Sequence, residues 1–362
     1  LTLPYDTCCD TKRYGRGGNP ECWAQIFFSF AVCCIQPTLP LPRCREAATA
    51  EARWGACQLP IDAWEAQGCL ANSPPRDQGI YPKMLLATTY ESYDSYIDLQ
   101  NKRVTEAFAL SDVNPASMQL LVTASLYTLR RLGLPPPQRI ICHGSKRGVE
   151  VQLLHEAFRE RGLSPEVLGT DLSKEAVQER VADVKQMDFH HLHLPWAGTA
   201  DIIYSNALDH ALFIITALTT WRETLRRSGG LLVMHSSSFH TPHHISTSDP
   251  AKGWVSDFCA VLADAGFQVL EIYRTPMSSF TWRGSDEEYE DLIIAEPKRD
   301  LTPLRRHQLK AHIACYQWMS DAAPDSGGLT DSLAHFRRQH ADLLQALEFN
   351  DTDIENLAEV CL

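Results

Sequence analysis

A chain of 362 residues with 44% hydrophobic composition has apolar material for one large core and a smaller satellite. Its formal net charge of -12 argues against a nucleic-acid partner, because affinity for phosphate backbones comes from clustered lysine and arginine. No apolar run reaches the ~18 residues of a membrane span; the strongest, Ile26 to Ile35, is short and carries two cysteines. The first residue is Leu1, as expected where a signal or transit peptide has been removed, although a chosen chain boundary would look the same.

Residues 1–80 form a cysteine-rich segment. Eight of the 12 cysteines lie there: Cys8, Cys9, Cys22, Cys33, Cys34, Cys44, Cys57 and Cys69. An even number in a segment with little periodic structure reads as a set of disulfides that compensates for a thin core. Zinc and reduced buried thiols are the alternatives, but C-x-x-C pairs are absent and adjacent cysteines chelate one metal poorly. Disulfides imply an oxidising compartment, so the expected location is the lumen of the secretory pathway or outside the cell, with another organelle lumen as the alternative. Asn350-Asp351-Thr352 is a glycosylation sequon consistent with that location.

Residues 81–137 read as a helical linker or lid. Asn114 is placed to cap a helix, Pro115 to occupy its first position, and Gly133 to lie past its end. Met118, Leu121, Leu129 and Leu132 give that helix an apolar face, and Pro135 to Pro137 stop it.

Residues 138–298 alternate between apolar strands and helices, as a parallel α/β sheet requires. Strands are expected at Arg139 to Cys142, at Glu166 to Gly169 reaching Asp171, in a short segment ending at Asp188-Phe189, and at Asp201 to Tyr204. Further strands follow at Leu231 to Met234, Gln268 to Tyr273 and Asp291 to Ala295. The last two, separated by a loop containing Trp282, Arg283 and an acidic run, read as an antiparallel hairpin closing the sheet. Residues 299–362 read as a helical extension whose stripe of Leu333, Phe336, Leu343, Leu344 and Leu347 packs on the α/β domain or on a partner.

The candidate chemistry sits at the carboxyl ends of the strands. A turn between the first strand and its helix, with Gly144 and Gly148 removing obstructing Cβ atoms, lets backbone N–H groups approach a ligand. Asp171, at the end of the next strand, is placed to accept hydrogen bonds from ribose hydroxyls. Over roughly 160 residues this arrangement resembles the class I S-adenosylmethionine-dependent methyltransferases, on the strand order, the acid after strand two, the Asp188-Phe189 pair, Asn206 after strand four and the closing hairpin.

The resemblance implies a Rossmann-like methyltransferase sheet, mostly parallel, with an antiparallel C-terminal hairpin, flanked by helices and preceded by the irregular disulfide-rich segment. It also implies S-adenosylmethionine as cofactor. His143, Gly144, Ser145 and Gly148 would lie around its methionine part, Asp171 and Leu172 at the ribose, Asp188 on the adenine amino group, Phe189 beside the ring, and Asn206 in the strand-four loop. The chain departs from the family in having Cys142 where an acid is usual and Lys146 where the middle glycine is usual. Loss of that acid leaves the cofactor's ammonium without its usual charged support.

Asp209 and His210 follow strand four, where a loop faces cofactor and substrate. A histidine base with a carboxylate neighbour suits methylation of an oxygen in a small molecule or glycan. The structural alternative is that Asn206 caps the next helix and Asp209 lies in its first turn. Many histidines lie at this edge, among them His190, His191, His193, His235, His240, His243 and His244; the loop from His235 to His244 has no carboxylate or amide ligand close by until Asp249, so no metal is expected. The departures at Cys142 and Lys146 motivate the second hypothesis: a catalytically silent methyltransferase-like subunit that docks a protein partner through the C-terminal helices or the cysteine-rich segment.

Overall fold

The computed structural model describes residues 85–86, 93–106, 115–237, 251–252, 255–276, 289–321, 329–354 and 357. The cysteine-rich segment, the Asn114 cap, the histidines at 240, 243 and 244, and Trp282 with Arg283 therefore lie outside the described residues.

Two helices, α1 (Tyr93–Glu106) and α2 (Pro115–Arg131), lead into the α/β unit. Pro115 opens α2 as expected, and Gly133 closes it in the left-handed conformation at φ 69°. The unit then runs β1 (Arg139–His143), α3 (Val149–Arg159), β2 (Glu166–Asp171), α4 (Lys174–Gln178), β3 (Val184–Gln186), β4 (Ile202–Ser205), α5 (Ile214–Thr224), β5 (Leu231–Ser237), α6 (Val255–Asp264), β6 (Phe267–Pro276) and β7 (Tyr289–Pro297). Three helices end the chain: α7 (Pro303–Asp321), α8 (Leu329–Gln339) and α9 (Ala341–Ala346).

The seven strands form one sheet in the order β3-β2-β1-β4-β5-β7-β6. All neighbours from β3 through β5 pair in parallel, while β7 is antiparallel to both β5 and β6. This is a mostly parallel, Rossmann-like sheet with an antiparallel closing hairpin, the strand order that the resemblance implied.

The period-two alternation of the strands divides the core. Ile141, Ile203, Leu232 and Met234 pack on one face against α5 and α6, with Trp221 fully buried among them. Ile140, Cys142, Ile202, Tyr204 and Val233 face α2 and α3 through Leu121, Leu154 and Phe158. A third cluster joins Ile313, Ala314 and Trp318 of α7 to Phe336, Leu343, Leu344 and Leu347, and it reaches Leu192 of the α/β unit. The C-terminal stripe thus packs partly on itself and partly on the α/β unit, which sets α7 beside the carboxyl end of the sheet.

Two boundaries differ from expectation in ways that matter at the site. Strand β3 ends at Gln186, so Asp188 and Phe189 lie on the following turn. The helix that Asn206 was placed to cap begins only at Ile214, after a separate 3-10 turn, Leu208–His210.

Candidate functional site

The turn from β1 to α3 carries three left-handed residues: Gly144 at φ 72°, Lys146 at φ 47° and Gly148 at φ 88°. Lys146 thus adopts the conformation for which glycine is usually required, at a cost of about 1 kcal/mol. The surroundings hold it there. The Lys146 N–H donates to Asp171 Oδ2 at 2.8 Å, and the Ser145 N–H donates to the Thr170 carbonyl at 2.9 Å. A Cβ on Gly144 would lie 2.3 Å from the Ala207 Cβ, and one on Gly148 would lie 2.6 Å from Val184. Both glycines are therefore required by close packing of the turn on the β4 loop and on β3.

Asp171 locks the turn to β2. Its Oδ1 accepts the Ser173 N–H at 2.8 Å, and the side chain is almost wholly buried, with Leu172 half-buried beside it. Burial raises its carboxyl above the ordinary value, while the Ser173 and Lys146 backbone donors oppose that rise. Two accepted N–H bonds leave a carboxylate with lone pairs to offer a ligand.

Asn206 does not cap the following helix. Its Nδ2 instead donates to Glu150 Oε1 at 3.1 Å, tying the β4 loop to the first turn of α3, while the Ser205 hydroxyl donates to the His143 carbonyl. Glu150, which the sequence reading passed over, is only 6% exposed. Burial lifts its carboxyl to about 7, against the opposing pull of its backbone donor, Lys146 and Asn206. Its charge also bears on Cys142, whose thiol is raised by burial first and by Glu150 second.

His143 is buried beside the turn. Its ring stacks on Trp221 at 5.1 Å and 14°, and its Nδ1 lies 2.8 Å from the Thr170 hydroxyl. Burial lowers its pKa to about 3, so the imidazole is neutral at physiological pH. Phe189 packs edge-on to the same Trp221 at 5.5 Å, and its ring also lies 4.0 Å from where a Gly144 Cβ would project.

Asp188 has four hydrogen bonds from its own chain. Tyr93 of α1 and Tyr316 of α7 both donate phenolic O–H to Oδ2, at 2.9 and 2.7 Å. The His190 N–H donates to Oδ1 at 2.9 Å, and the His190 Nδ1 lies 2.6 Å from the same atom. Burial by itself would push the Asp188 carboxyl up, but the adjacent His190 overrides it and holds the carboxyl below the usual range. Burial and the Asp188 charge keep both phenols protonated. Where the resemblance placed an adenine contact, the chain has built a clamp joining α1, the turn after β3 and α7.

Asp209 and His210 lie together in the 3-10 turn, with His210 Nε2 3.8 Å from Asp209 Oδ1. Asp209 is buried and His210 half-buried, so the carboxylate forms the floor and the imidazole the exposed edge. A short ladder of Leu85–Leu86 with Ala251–Lys252 forms beside the sheet, and its 251–252 strand packs against this turn. His235 is committed elsewhere, its Nδ1 lying 2.9 Å from the Tyr204 hydroxyl.

No protein-family model matches the chain, and no curated protein does. Solved structures are similar to the chain over about half of its length. The CurJ carbon methyltransferase aligns over 55% of this chain and 59% of its own, at 15% identity and TM-score 0.40. A Burkholderia thailandensis 1,6-didemethyltoxoflavin-N1-methyltransferase, solved with S-adenosylhomocysteine, aligns over 58% of this chain and 92% of its own, at 14% identity and TM-score 0.43. An S-adenosylmethionine-dependent methyltransferase from Aquifex aeolicus aligns over 51% and 100%, at 14% identity and TM-score 0.37. The chain thus spans 59% of the length of the carbon methyltransferase.

Proposed function

We propose that the chain binds S-adenosylmethionine at the turn above β1 and β2 and transfers its methyl group to an oxygen of a small molecule or glycan. The observation that carries this reading is the left-handed Gly144-Lys146-Gly148 turn locked by Asp171. A lysine held at φ 47° keeps the backbone shape of a glycine-rich turn after the glycine itself has gone, which favours a retained binding surface over a relic.

The residues present fit the methionine and ribose parts of such a cofactor. The turn offers backbone N–H and C=O groups, Asp171 has acceptor capacity for the ribose hydroxyls, and Glu150 with Asn206 brings a carboxylate and an amide to the same edge. When bound, the cofactor supplies a methyl group on a positively charged sulfur, which needs an electron-rich acceptor. His210 would take the proton from the acceptor hydroxyl, and buried Asp209 would stabilise the resulting imidazolium. The partly exposed imidazole beside a buried carboxylate is the arrangement such a base needs. Labelled methyl transfer from S-adenosylmethionine to phenols, hydroxy acids and free glycans tests this. Transfer that survives His210→Ala undiminished would remove the base, and transfer only to carbon or nitrogen acceptors would remove the oxygen target.

The clamp on Asp188 favours a second reading, in which the sheet is a silent structural or docking subunit. Under that reading Asp171→Ala leaves the protein's assembly unchanged, while replacing the exposed residues of α8 abolishes it. Cofactor binding that depends on Asp171 rejects it.

The same proposal places the chain in the lumen of the secretory pathway or outside the cell, with disulfides in residues 1–80, on the cysteine usage alone. Asn350 of the sequon is exposed, although its side-chain oxygen accepts the Asp353 N–H at 2.9 Å. Twelve reactive thiols counted in denaturant, matching the 12 cysteines, would remove both the disulfides and the compartment.

A further inference from the structure

A glutamate in the first turn of a helix ordinarily gains from the dipole while remaining in water. The structure buries Glu150 instead. Only 6% of the residue is exposed, at the point where β1, the turn and the β4 loop converge. Its Oε1 is oriented by Asn206 Nδ2 at 3.1 Å. Asn206 after β4 is its hydrogen-bond partner, the charge of Lys146 on the turn lowers its carboxyl and that of Asp171 on β2 raises it, and its own charge raises the thiol of Cys142 on β1. A carboxylate is costly to bury and is retained where a cation meets it. The neighbour on β1 is Cys142, the position at which the resembling family carries its acid. The negative charge is therefore missing from the strand and present in the first turn of the helix that follows it.

We propose that Glu150, oriented by Asn206 beside Cys142, supplies the charge against which the cofactor's α-ammonium is bound, in place of the acid that β1 lacks. This rests on reading the turn as an S-adenosylmethionine site. Glu150 is then a positioning residue, fixing the amino-acid end of the cofactor while Asp171 fixes the ribose. Its burial lifts the carboxyl to about 7, and Lys146 and Asn206 offset that rise only in part.

Two nucleosides separate this role from a structural one. S-adenosylhomocysteine carries the α-ammonium, whereas 5′-methylthioadenosine has the adenosine without the amino-acid end. Titration calorimetry on the intact chain measures both, at pH 8, for wild type and Glu150→Gln. The glutamine keeps an oxygen for Asn206, and far-ultraviolet circular dichroism checks its fold. We expect Glu150→Gln to weaken S-adenosylhomocysteine about tenfold to a hundredfold while leaving 5′-methylthioadenosine within about twofold. Glu150→Asp, which keeps the charge, should retain most of the preference and gives a second reading should the glutamine variant not fold. Equal weakening of both nucleosides, or no weakening of either, overturns the role of Glu150 and leaves the cofactor site standing. Failure of both nucleosides to bind wild type overturns the site as well.

Discussion

The clamp on Asp188 makes a prediction that follows from its geometry. Tyr93 and Tyr316 donate to the same oxygen, Oδ2, at 2.9 and 2.7 Å. Either phenol can therefore be removed while the carboxylate keeps a partner on that atom, but removing both leaves Oδ2 bare in the interior. A hydrogen bond to a charged group contributes about 1.5 to 3 kcal/mol, and an unsatisfied buried acceptor costs its full desolvation. Tyr316→Phe removes a phenol from a side chain only 2% exposed, so it should cost about 2 kcal/mol. Tyr93→Phe, at a half-buried position, should cost about 1 kcal/mol. The double variant should exceed their sum by about 1 kcal/mol, because only it orphans Oδ2.

Urea unfolding at constant m-value measures all four corners of that cycle. The sign with pH is fixed. The Asp188 carboxyl sits below the usual range, so its contribution is fully present above the unfolded value near 4 and is lost as pH falls toward the folded one. The excess coupling should fade below about pH 4 for the same reason. A double variant equal to the sum of the singles at pH 7 would refute the shared-acceptor account.

Two further predictions concern left-handed glycines. Gly144→Ala combines a left-handed φ of 72° with a Cβ 2.3 Å from the Ala207 Cβ, and should cost about 3 kcal/mol in thermal unfolding. Gly133→Ala, at φ 69° with nothing within 4 Å of its Cβ, should cost only about 1 kcal/mol, and equal losses would remove the packing argument. The third concerns Glu150, whose carboxyl is raised by burial from 4.5 to about 7. Such a group gives its full stability below 4.5 and loses it as pH rises through 7, by a few kcal/mol. Melting curves should show this loss in wild type and not in Glu150→Gln; parallel pH profiles would contradict it.

Most of the fold was legible because the physics that sets it is local. Ile140-Ile141, Ile202-Ile203 and Leu231 to Met234 are apolar runs that end in polar residues, as buried parallel strands must be. The hairpin showed as two strands without a helix between them. The candidate site was legible only where a conformation demanded a residue, as at Gly144 and Gly148, or where a strand end displayed an acid, as at Asp171.

What stayed hidden depends on contacts between distant parts of the chain. Tyr93 lies 95 residues from Asp188 and Tyr316 lies 128, so no local pattern could mark Asp188 as clamped. Ending β3 at Gln186 also moved Asp188 and Phe189 off the strand, where an edge contact had been expected. Asn206 looked like a helix cap because its partner, Glu150, is 56 residues earlier. Glu150 itself has the spacing of any first-turn acid, and only its burial distinguishes it.

The central claim is that the turn above β1 still holds its cofactor. Equilibrium dialysis of the intact chain against labelled S-adenosylmethionine measures this without any acceptor. The account predicts one saturable site per chain, lost in Asp171→Ala while the variant remains folded. No binding to folded protein at millimolar cofactor would contradict it.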